Sequence, residues 1–144
     1  MNANEKDYQI LRHVIKYCEK IQMTTSAFKG KYKNFVDARN YVIRDACCFY
    51  LFQIGELARN LSDEFKACNP KIPWKEIRGL RNIVAHKYGT VEFGTIWEIV
   101  SDDIPSLNTD CRKILKKHAP QLEKQLQKEL TEEIGLSIKS DSYS

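Results

Sequence analysis

The stretch "ACCFYLFQIGELA", residues 46–58, is apolar on almost every side of a helix, and Glu56 is its one charged residue. A helix that is apolar all round has to be enclosed by other elements, so this stretch predicts the central helix of a helical domain. The apolar stripe extends in both directions and predicts one long helix over residues 36–61. We expect this helix to be the most buried element of the fold.

Periodicity of 3.6 residues recurs on both sides of the central helix, whereas β-branched runs are short and the 144 residues include only 4 Pro and 6 Gly. The pattern predicts an all-α domain with four main helices. The other three are residues 4–23, residues 73–88, and a helix that Thr90 caps and that bends at Pro105. Gly89 is expected to end the third helix in a left-handed conformation.

Beyond residue 119 the character of the sequence changes. Leu122, Leu126, Leu130 and Ile134 recur every four residues on an otherwise charged segment, which predicts a narrow amphipathic helix. Such a helix is marginal alone and is expected to lie against the body of the protein or against a partner. We therefore divide the chain into a helical bundle domain of residues 1–119, a C-terminal amphipathic helix of residues 120–135 and a disordered tail of residues 136–144.

The composition limits the class of protein. The formal net charge of +4 permits a polyanionic partner without requiring one. No 18 apolar residues run together and the polar N-terminus lacks the layout of a signal peptide, so we expect a cytoplasmic protein that does not enter a membrane. The five cysteines include an adjacent pair and no C-x2-C spacing, which predicts reduced thiols rather than a disulfide framework or a zinc site.

The polar stretch "TTSAFKGKYKN", residues 24–34, is predicted to be a polar loop that either stays irregular or contains a short helical turn. It brings Lys29, Lys31 and Lys33 close together among aromatic residues. A loop of this composition is either simply solvated or a path for RNA, because phosphates attract lysine and bases stack on aromatic rings. Both interpretations stay open at this point.

The stretch "GLRNIVAHKYG", residues 79–89, places Arg81, Asn82, His86 and Tyr88 in a segment with the apolar rhythm of a core helix. When residues 74–88 are projected as one helix, Arg81 falls in the middle of an apolar row. A guanidinium in such a row is costly to bury unless an acid pairs with it, and Glu56 is the expected partner. Such a pair is either scaffolding alone or a supporting part of a site.

The longer stretch "IPWKEIRGLRNIVAHKYGTVEFGTIWEI", residues 72–99, resembles the HepT-like branch of the HEPN superfamily, the toxins of two-gene toxin–antitoxin modules. The resemblance extends through "QIGELARNLSDEF" (53–65) and "DDIPSL" (102–107), and so covers most of residues 7–118. It implies an up-and-down helical bundle that forms a two-fold homodimer and acts as a metal-independent endoribonuclease. No metal and no cofactor are expected.

The resemblance also assigns roles to single residues. Arg81 and His86 match the family's Arg-x4-6-His motif and are the expected catalytic residues, and Asn82 matches the polar residue that follows the arginine. Tyr88 matches the tyrosine that the partner antitoxin, an MntA-type nucleotidyltransferase, modifies with AMP. The implied function is the toxin of a type VII-like module, which AMPylation of Tyr88 neutralises.

The chemistry of these side chains suits an RNA substrate. Each phosphate in RNA has a 2′-OH beside it as a nucleophile, histidine moves protons near pH ~6.5, and arginine stabilises negative charge at phosphorus. Asn82 is expected to orient the His86 ring through a hydrogen bond. Arg81 and His86 stand about 140° apart around a helix, so two copies across a two-fold axis, approaching closely at Gly79, are expected to build one cleft.

Other interpretations remain open. Lys75, Arg78 and Lys87 either contact RNA, which would be a transfer RNA or a messenger RNA, or belong to a solvated face. The alternative function is a non-catalytic helical dimer that binds RNA or serves as the binding subunit of a nucleotidyltransferase. His86 would then be a helix-capping histidine, and Tyr88 a half-buried residue of the core.

Overall fold

The computed structural model describes residues 3–90 and 92–135, and in these ranges the chain is helical without a strand. The helices are α1 (Ala3–Ser26), α2 (Tyr32–Val36), α3 (Tyr41–Arg59), α4 (Asp63–Cys68), α5 (Trp74–Arg78), α6 (Leu80–Gly89), α7 (Phe93–Glu98), α8 (Ile104–His118) and α9 (Pro120–Ile134). A 3-10 turn, Ala38–Asn40, precedes α3, and a π-helical turn, Ile99–Asp103, joins α7 to α8. The prediction of an all-α fold is confirmed. The tail of residues 136–144 lies outside the described residues.

Contacts at both ends of α1 and α3 show that these two helices are antiparallel. Asp7, near the start of α1, accepts hydrogen bonds of 2.8 and 2.6 Å from the backbone N–H and the hydroxyl of Ser62, just beyond the end of α3. Further along α1, Tyr17 packs on Tyr50 with 5.7 Å between ring centroids. Ser62 also accepts a hydrogen bond from the N–H of Phe65, and so caps the start of α4.

Helix α8 also contacts α1 near both of its ends. Tyr8, near the start of α1, stacks on His118 at the end of α8, with 5.9 Å between ring centroids. Glu19, in the second half of α1, pairs with Arg112 at 2.7 Å. α8 is therefore antiparallel to α1, and α6 is antiparallel to α3 by the contacts described below. The four long segments alternate in direction, which is the up-and-down order that the resemblance implied.

Helix α9 runs parallel to α1 and is tied to it by two ion pairs that lie one helical turn apart. Arg12 pairs with Glu129, and Lys16 pairs with Glu133 at 2.8 Å. The fully buried members of its leucine stripe are Leu126 and Leu130. Burial of these two side chains makes α9 part of the same hydrophobic core as α1 and α8.

The start of the chain's central helix differs from the prediction. α3 begins at Tyr41 rather than at residue 36, because Asp37 caps a separate 3-10 turn by accepting a 2.9 Å hydrogen bond from the N–H of Arg39. The predicted polar loop before it and the residue that follows this loop carry part of the core, since Phe28 and Phe35 are 2% and 0% exposed. The three lysines of that segment remain exposed.

The third predicted helix is two helices, α5 and α6. The chain leaves α5 at Gly79, whose ψ of −6° does not continue an α-helix and whose N–H bonds to the carbonyls of Lys75 and Glu76. Gly89 is the last residue of α6 rather than a left-handed cap, and Thr90 closes this helix instead of starting the next one. These two predictions were wrong because the backbone N–H of Thr90 donates a 3.1 Å hydrogen bond to the carbonyl of His86 in α6.

The cysteines and the hydropathy of the helices were two of the features predicted from the composition. The five cysteines are free thiols, as predicted, and all except Cys68 are buried. Burial raises the pKa of the Cys47 and Cys48 thiols to about 12. Among the helices that the structure describes, none has the length and apolar character needed to cross a membrane.

Candidate functional site

Helix α6 presents one exposed strip to solvent, and motif residues lie on it. The residues of this exposed strip are Arg81, Asn82, Ala85, His86 and Gly89. Leu80 and Val84 are buried on the opposite side of the helix. Arg81 and His86 stand about 140° apart around an ideal helix, and the other three residues of the strip fall between them. The guanidinium and the imidazole therefore flank a ridge whose middle is formed by Ala85 and Gly89.

Arg81 was predicted to face the core, and this prediction is wrong. Its side chain is 46% exposed, because the break at Gly79 interrupts the apolar row of α5 before it reaches α6. Arg81 does pair with Glu56, at 3.6 Å between Nε and Oε1, and its guanidinium carbon lies 5.3 Å from the ring centroid of Phe52. An exposed pair contributes only about 0–1 kcal/mol, so its main effect is to orient the guanidinium.

His86 lies in the last turn of α6, and its side chain is exposed. The carbonyl of His86 accepts a 3.1 Å hydrogen bond from the backbone N–H of Thr90, which ends the helix. Within residues 3–90 and 92–135, no hydrogen bond joins the expected supporting residue Asn82 to the imidazole. The imidazole is thus accessible from solvent, and Asn82 does not fix its orientation.

Tyr88 points from the end of α6 toward α3. Its hydroxyl donates a hydrogen bond to the carboxylate of Asp45, and its ring meets the ring of Phe93 edge-on, with 5.4 Å between centroids. Phe93 also contacts Arg44, whose guanidinium carbon lies 4.4 Å from the Phe93 ring centroid. The phenol is consequently held at its oxygen by a carboxylate and at its ring by an aromatic neighbour.

Asp45 was not predicted from the sequence. Asp45 and Glu56 are eleven positions apart, which places the two acids within about 20° of each other on one face of α3. Each acid meets a motif residue of α6, Asp45 at Tyr88 and Glu56 at Arg81. This spacing is the feature of the sequence that could have indicated Asp45.

A surface groove of about 560 Å³ lies between α3 and α6, beside the contact of Asp45 with Tyr88. Its lining is largely apolar and comprises Asp45, Cys48, Phe49, Phe52, Gln53, Val84, Ala85, Tyr88 and Gly89. On the adjoining surface of α3, the exposed fractions of Tyr41, Val42 and Phe49 are 56%, 62% and 54%. The expectation that the central helix is enclosed on all sides is therefore wrong for this face. Large apolar side chains that lie exposed beside one another are typical of interaction surfaces.

The three cations proposed to contact RNA are not equivalent. Lys75 and Arg78 are exposed on α5. Lys87 instead pairs with Glu92 at 3.2 Å. Hydrogen bonds from Thr90 and from Lys87 hold the pKa of Glu92 below its ordinary value, so this acid remains charged and offsets the lysine. Lys75 and Arg78 are the better placed of the three for a polyanion.

Side chains of the types of His86 and Arg81 are able to transfer protons and to stabilise negative charge. An exposed imidazole exchanges protons with whatever it contacts, and an exposed guanidinium binds phosphate oxygens through its planar donors. Within the part of the chain that the structure describes, no group of three or more His, Cys, Asp and Glu side chains is arranged to hold a metal ion. One chain offers one imidazole and one guanidinium at the edges of the exposed strip.

Comparison with known proteins identifies the family. A family profile described as "Ribonuclease HepT-like" matches residues 11–114, which include all of α3 and α6. "Putative RNase TTE0752" of Caldanaerobacter subterraneus subsp. tengcongensis is 35% identical over 108 residues, which are 74% of this chain and 92% of that protein. "Putative RNase MJ1380" of Methanocaldococcus jannaschii is 38% identical over 79 residues, 55% of this chain and 71% of that protein.

A third relative carries the family name itself. "Probable ribonuclease HepT" of Thermococcus cleftensis is 38% identical over 63 residues, which are 44% of this chain and 57% of that protein. No solved structure matches the chain. The profile spans more than half of the 144 residues and includes Arg81, His86 and Tyr88. The chain therefore belongs to the HepT-like ribonuclease family of the HEPN superfamily.

Proposed function

We propose that this chain is the toxin of a two-gene, type VII-like toxin–antitoxin module and that it is an endoribonuclease without need of a metal ion. It cleaves RNA by attack of a 2′-OH on the adjacent phosphorus, which leaves a 2′,3′-cyclic phosphate and a 5′-OH. The observation that supports this most directly is the exposed strip of α6. It presents Arg81 and His86 to solvent on one side of the helix, inside the region that matches the ribonuclease family.

In this proposal, each motif residue has one task. His86 takes the proton of the 2′-OH or delivers a proton to the leaving 5′-oxygen, because an imidazole is able to do either near neutral pH. Arg81 donates hydrogen bonds to the phosphate oxygens and stabilises the charge that builds up at phosphorus. Glu56 orients the guanidinium from 3.6 Å away, and Asn82 stands between the two on the exposed strip as a polar neighbour.

A two-fold homodimer completes the site. Each copy supplies one imidazole and one guanidinium, and a two-fold axis beside Ala85 and Gly89 brings both sets to a shared cleft because these small residues allow close approach. The apolar patch of Tyr41, Val42 and Phe49 on α3 adjoins the exposed strip and gives the second copy a surface to cover. The expected close approach at Gly79 is replaced in this arrangement by Ala85 and Gly89.

RNA contacts outside the cleft are assigned to α5. Lys75 and Arg78 are exposed there, shortly before the exposed strip of α6 in the chain. Phosphates on the strand leading to the cleft are attracted by these two cations. Lys87 contributes less because Glu92 offsets its charge.

Modification of Tyr88 is the proposed off-switch. An MntA-type nucleotidyltransferase antitoxin attaches AMP to the phenol, which lies at the end of α6 beside an open groove. The adduct adds negative charge and the bulk of a nucleotide close to the cleft, and both oppose the binding of an RNA phosphate.

The test compares wild type with His86→Ala in RNA cleavage by the purified protein in the presence of EDTA. We expect wild type to produce 2′,3′-cyclic phosphate ends and His86→Ala to lose about 10²–10⁴-fold in rate. His118→Ala is the matched control, because His118 is an exposed histidine stacked on Tyr8 and away from α6. RNA that is bound by wild type but never cut would favour the non-catalytic dimer instead.

A further inference from the structure

We infer that Asp45 is the base for the modification of Tyr88: its carboxylate takes the phenol proton when the nucleotidyl group is transferred. The inference rests on the proposed function, since it concerns the reaction that switches the ribonuclease off. It adds a catalytic residue that belongs to the modified protein rather than to the modifying enzyme. Neither the family motif nor the spacing within α6 includes this residue.

The geometry around the phenol supports this role. The Tyr88 hydroxyl already donates its hydrogen to Oδ1 of Asp45, across 43 positions of sequence. The ring is half-buried and held edge-on by Phe93, while Asp45 itself is exposed at the rim of the groove. In the single chain the oxygen is thus fixed in direction by a proton acceptor and reachable from outside, and a nucleophile needs both conditions.

The charged neighbours leave the Asp45 carboxylate available. Arg44 is adjacent in sequence, yet its guanidinium is buried and turned to the carbonyls of Phe35 and Asp37, at 2.8 and 3.2 Å. Lys87, on α6, is engaged with Glu92. Among the ion pairs of residues 3–90 and 92–135, none includes Asp45. Among the described residues, the Asp45 carboxylate therefore has the Tyr88 phenol as its side-chain hydrogen-bond partner.

The step balances with ATP as the donor. The phenolic oxygen of Tyr88 attacks the α-phosphorus of ATP and forms an O–P bond. The bond from the α-phosphorus to the oxygen that bridges it to the β-phosphorus breaks, and pyrophosphate leaves with that electron pair. The phenol proton passes to Oδ1 of Asp45 and from there to water. A phenol titrates near pH ~10, so at neutral pH the oxygen is a weak nucleophile unless a base accepts its proton.

The first experiment measures AMP incorporation from α-labelled ATP by the cognate MntA-type transferase into wild type and Asp45→Asn. The amide keeps the shape of the side chain and a hydrogen-bond acceptor but is no base. We therefore expect kcat of the transferase to fall about 10²-fold, with little change in its KM for the protein substrate. Asp102→Asn, which changes an exposed carboxylate in the turn before α8, is the matched control. Equal kcat for wild type and Asp45→Asn would overturn the inference.

The second experiment separates a base from a structural support. In Asp45→Ala, added sodium formate should restore incorporation in proportion to its concentration, while sodium chloride should not, because only formate replaces the lost carboxylate. The ratio of wild-type to Asp45→Asn rates should also fall about tenfold per pH unit between pH ~7 and ~9, as hydroxide takes over the task of the base. A ratio independent of pH, together with no rescue by formate, contradicts the role.

The outcomes distinguish the role of Asp45 from the proposed switch at Tyr88. Label on Tyr88 of wild type with an unchanged rate in both Asp45 variants removes Asp45 from the reaction and leaves the proposed switch intact. Absence of label on Tyr88 of wild type, with a transferase that is active on ATP, removes the switch and the inference together. Thermal unfolding of each variant is measured in parallel. The rate with formate is compared with the rate without formate in the same folded sample.

Discussion

The backbone nitrogen of Arg81 lies 3.0 Å from the place that a β-carbon on Gly55 would occupy, and the carbonyl oxygen of Ile77 and the β-carbon of Leu80 lie 3.4 Å from it. α3 is able to pass the start of α6 this closely because residue 55 has no side chain. The contact determines where on α3 the first turn of α6 rests. One residue further along α3, Glu56 meets the Arg81 guanidinium.

Gly55→Ala should therefore push α6 away from α3. The inserted methyl group meets backbone rather than a flexible side chain, so we expect a loss of about 1–3 kcal/mol in the free energy of unfolding and a loss of ribonuclease activity. Denaturant unfolding and RNA cleavage measure the two effects. Gly94→Ala is the control, because its β-carbon would meet only the Tyr32 hydroxyl at an ordinary 3.7 Å. Equal stability of both variants would show that the close approach is not required.

Mixing two inactive variants tests the shared cleft. Arg81→Ala and His86→Ala should each lose cleavage, and co-refolding them together should recover a measurable part of the wild-type rate. Recovery is expected because a mixed dimer retains one guanidinium and one imidazole from different copies in one cleft. The measurement is cleavage rate against mixing ratio, with each variant alone as its own control. A mixture that stays as inactive as its components would place a complete site within one chain.

Tyr88→Phe should keep the ribonuclease and lose the switch. The substitution removes the hydroxyl that bonds to Asp45 and leaves the ring against Phe93, so we expect cleavage within about threefold of wild type. Co-incubation with the transferase and ATP should silence wild type and leave the variant active. Mass spectrometry of both proteins gives the check. Silencing of the Phe variant by the same treatment would disprove the role of Tyr88.

Phe49→Glu should separate the proposed dimer. The side chain is 54% exposed on α3 beside the groove, and a carboxylate there would be desolvated if a second copy covered it. We expect light scattering to report a dimer for wild type and a monomer without cleavage activity for the variant. Met23→Glu is the control, since Met23 is 41% exposed on α1. A wild-type monomer that cleaves RNA at full rate would refute the two-fold site.

Acid should weaken the docking of α9 through Glu133. The hydrogen bond from Lys16 holds the pKa of this carboxyl below its ordinary value of 4.5. Because the pKa is lower in the folded than in the unfolded protein, the pair stabilises the fold above about pH 4.5, and this contribution is lost as pH falls through the lowered pKa. Wild type should exceed Glu133→Gln in Tm at pH 7, and the two should converge once the pH has fallen below the lowered pKa of Glu133. A difference that persists unchanged into acid would contradict this assignment.

The helical segments were predictable where one strong signal acts over a long stretch. α1, α3 and α9 each bury an apolar stripe along most of their length, and periodicity detects such stripes. The break at Gly79 was not predictable in this way, because a glycine either continues a helix or ends it depending on what its neighbours pack against. Pro73 and Gly89 predicted the two ends of a single helix, whereas the chain forms two helices between them.

The candidate site shows the same division. Arg81, His86 and Tyr88 were found from their order in the chain, and Glu56 from its isolation in an apolar stretch. The exposed face of α3 was missed because a periodicity pattern shows which side chains are apolar and not whether a neighbour covers them. Asn82 illustrates the reverse error, since correct spacing on a helix did not produce the expected hydrogen bond to His86.

By itself the sequence determined the helical class and which chemical groups stand along α6, because periodicity and motif spacing are properties of residue order. Only the tertiary structure decided that Arg81 faces solvent and that Asp45 meets Tyr88. Residues 43 positions apart become neighbours only when two helices pack at one distance and register. Here that register depends on the missing side chain of Gly55, a condition that local sequence does not express.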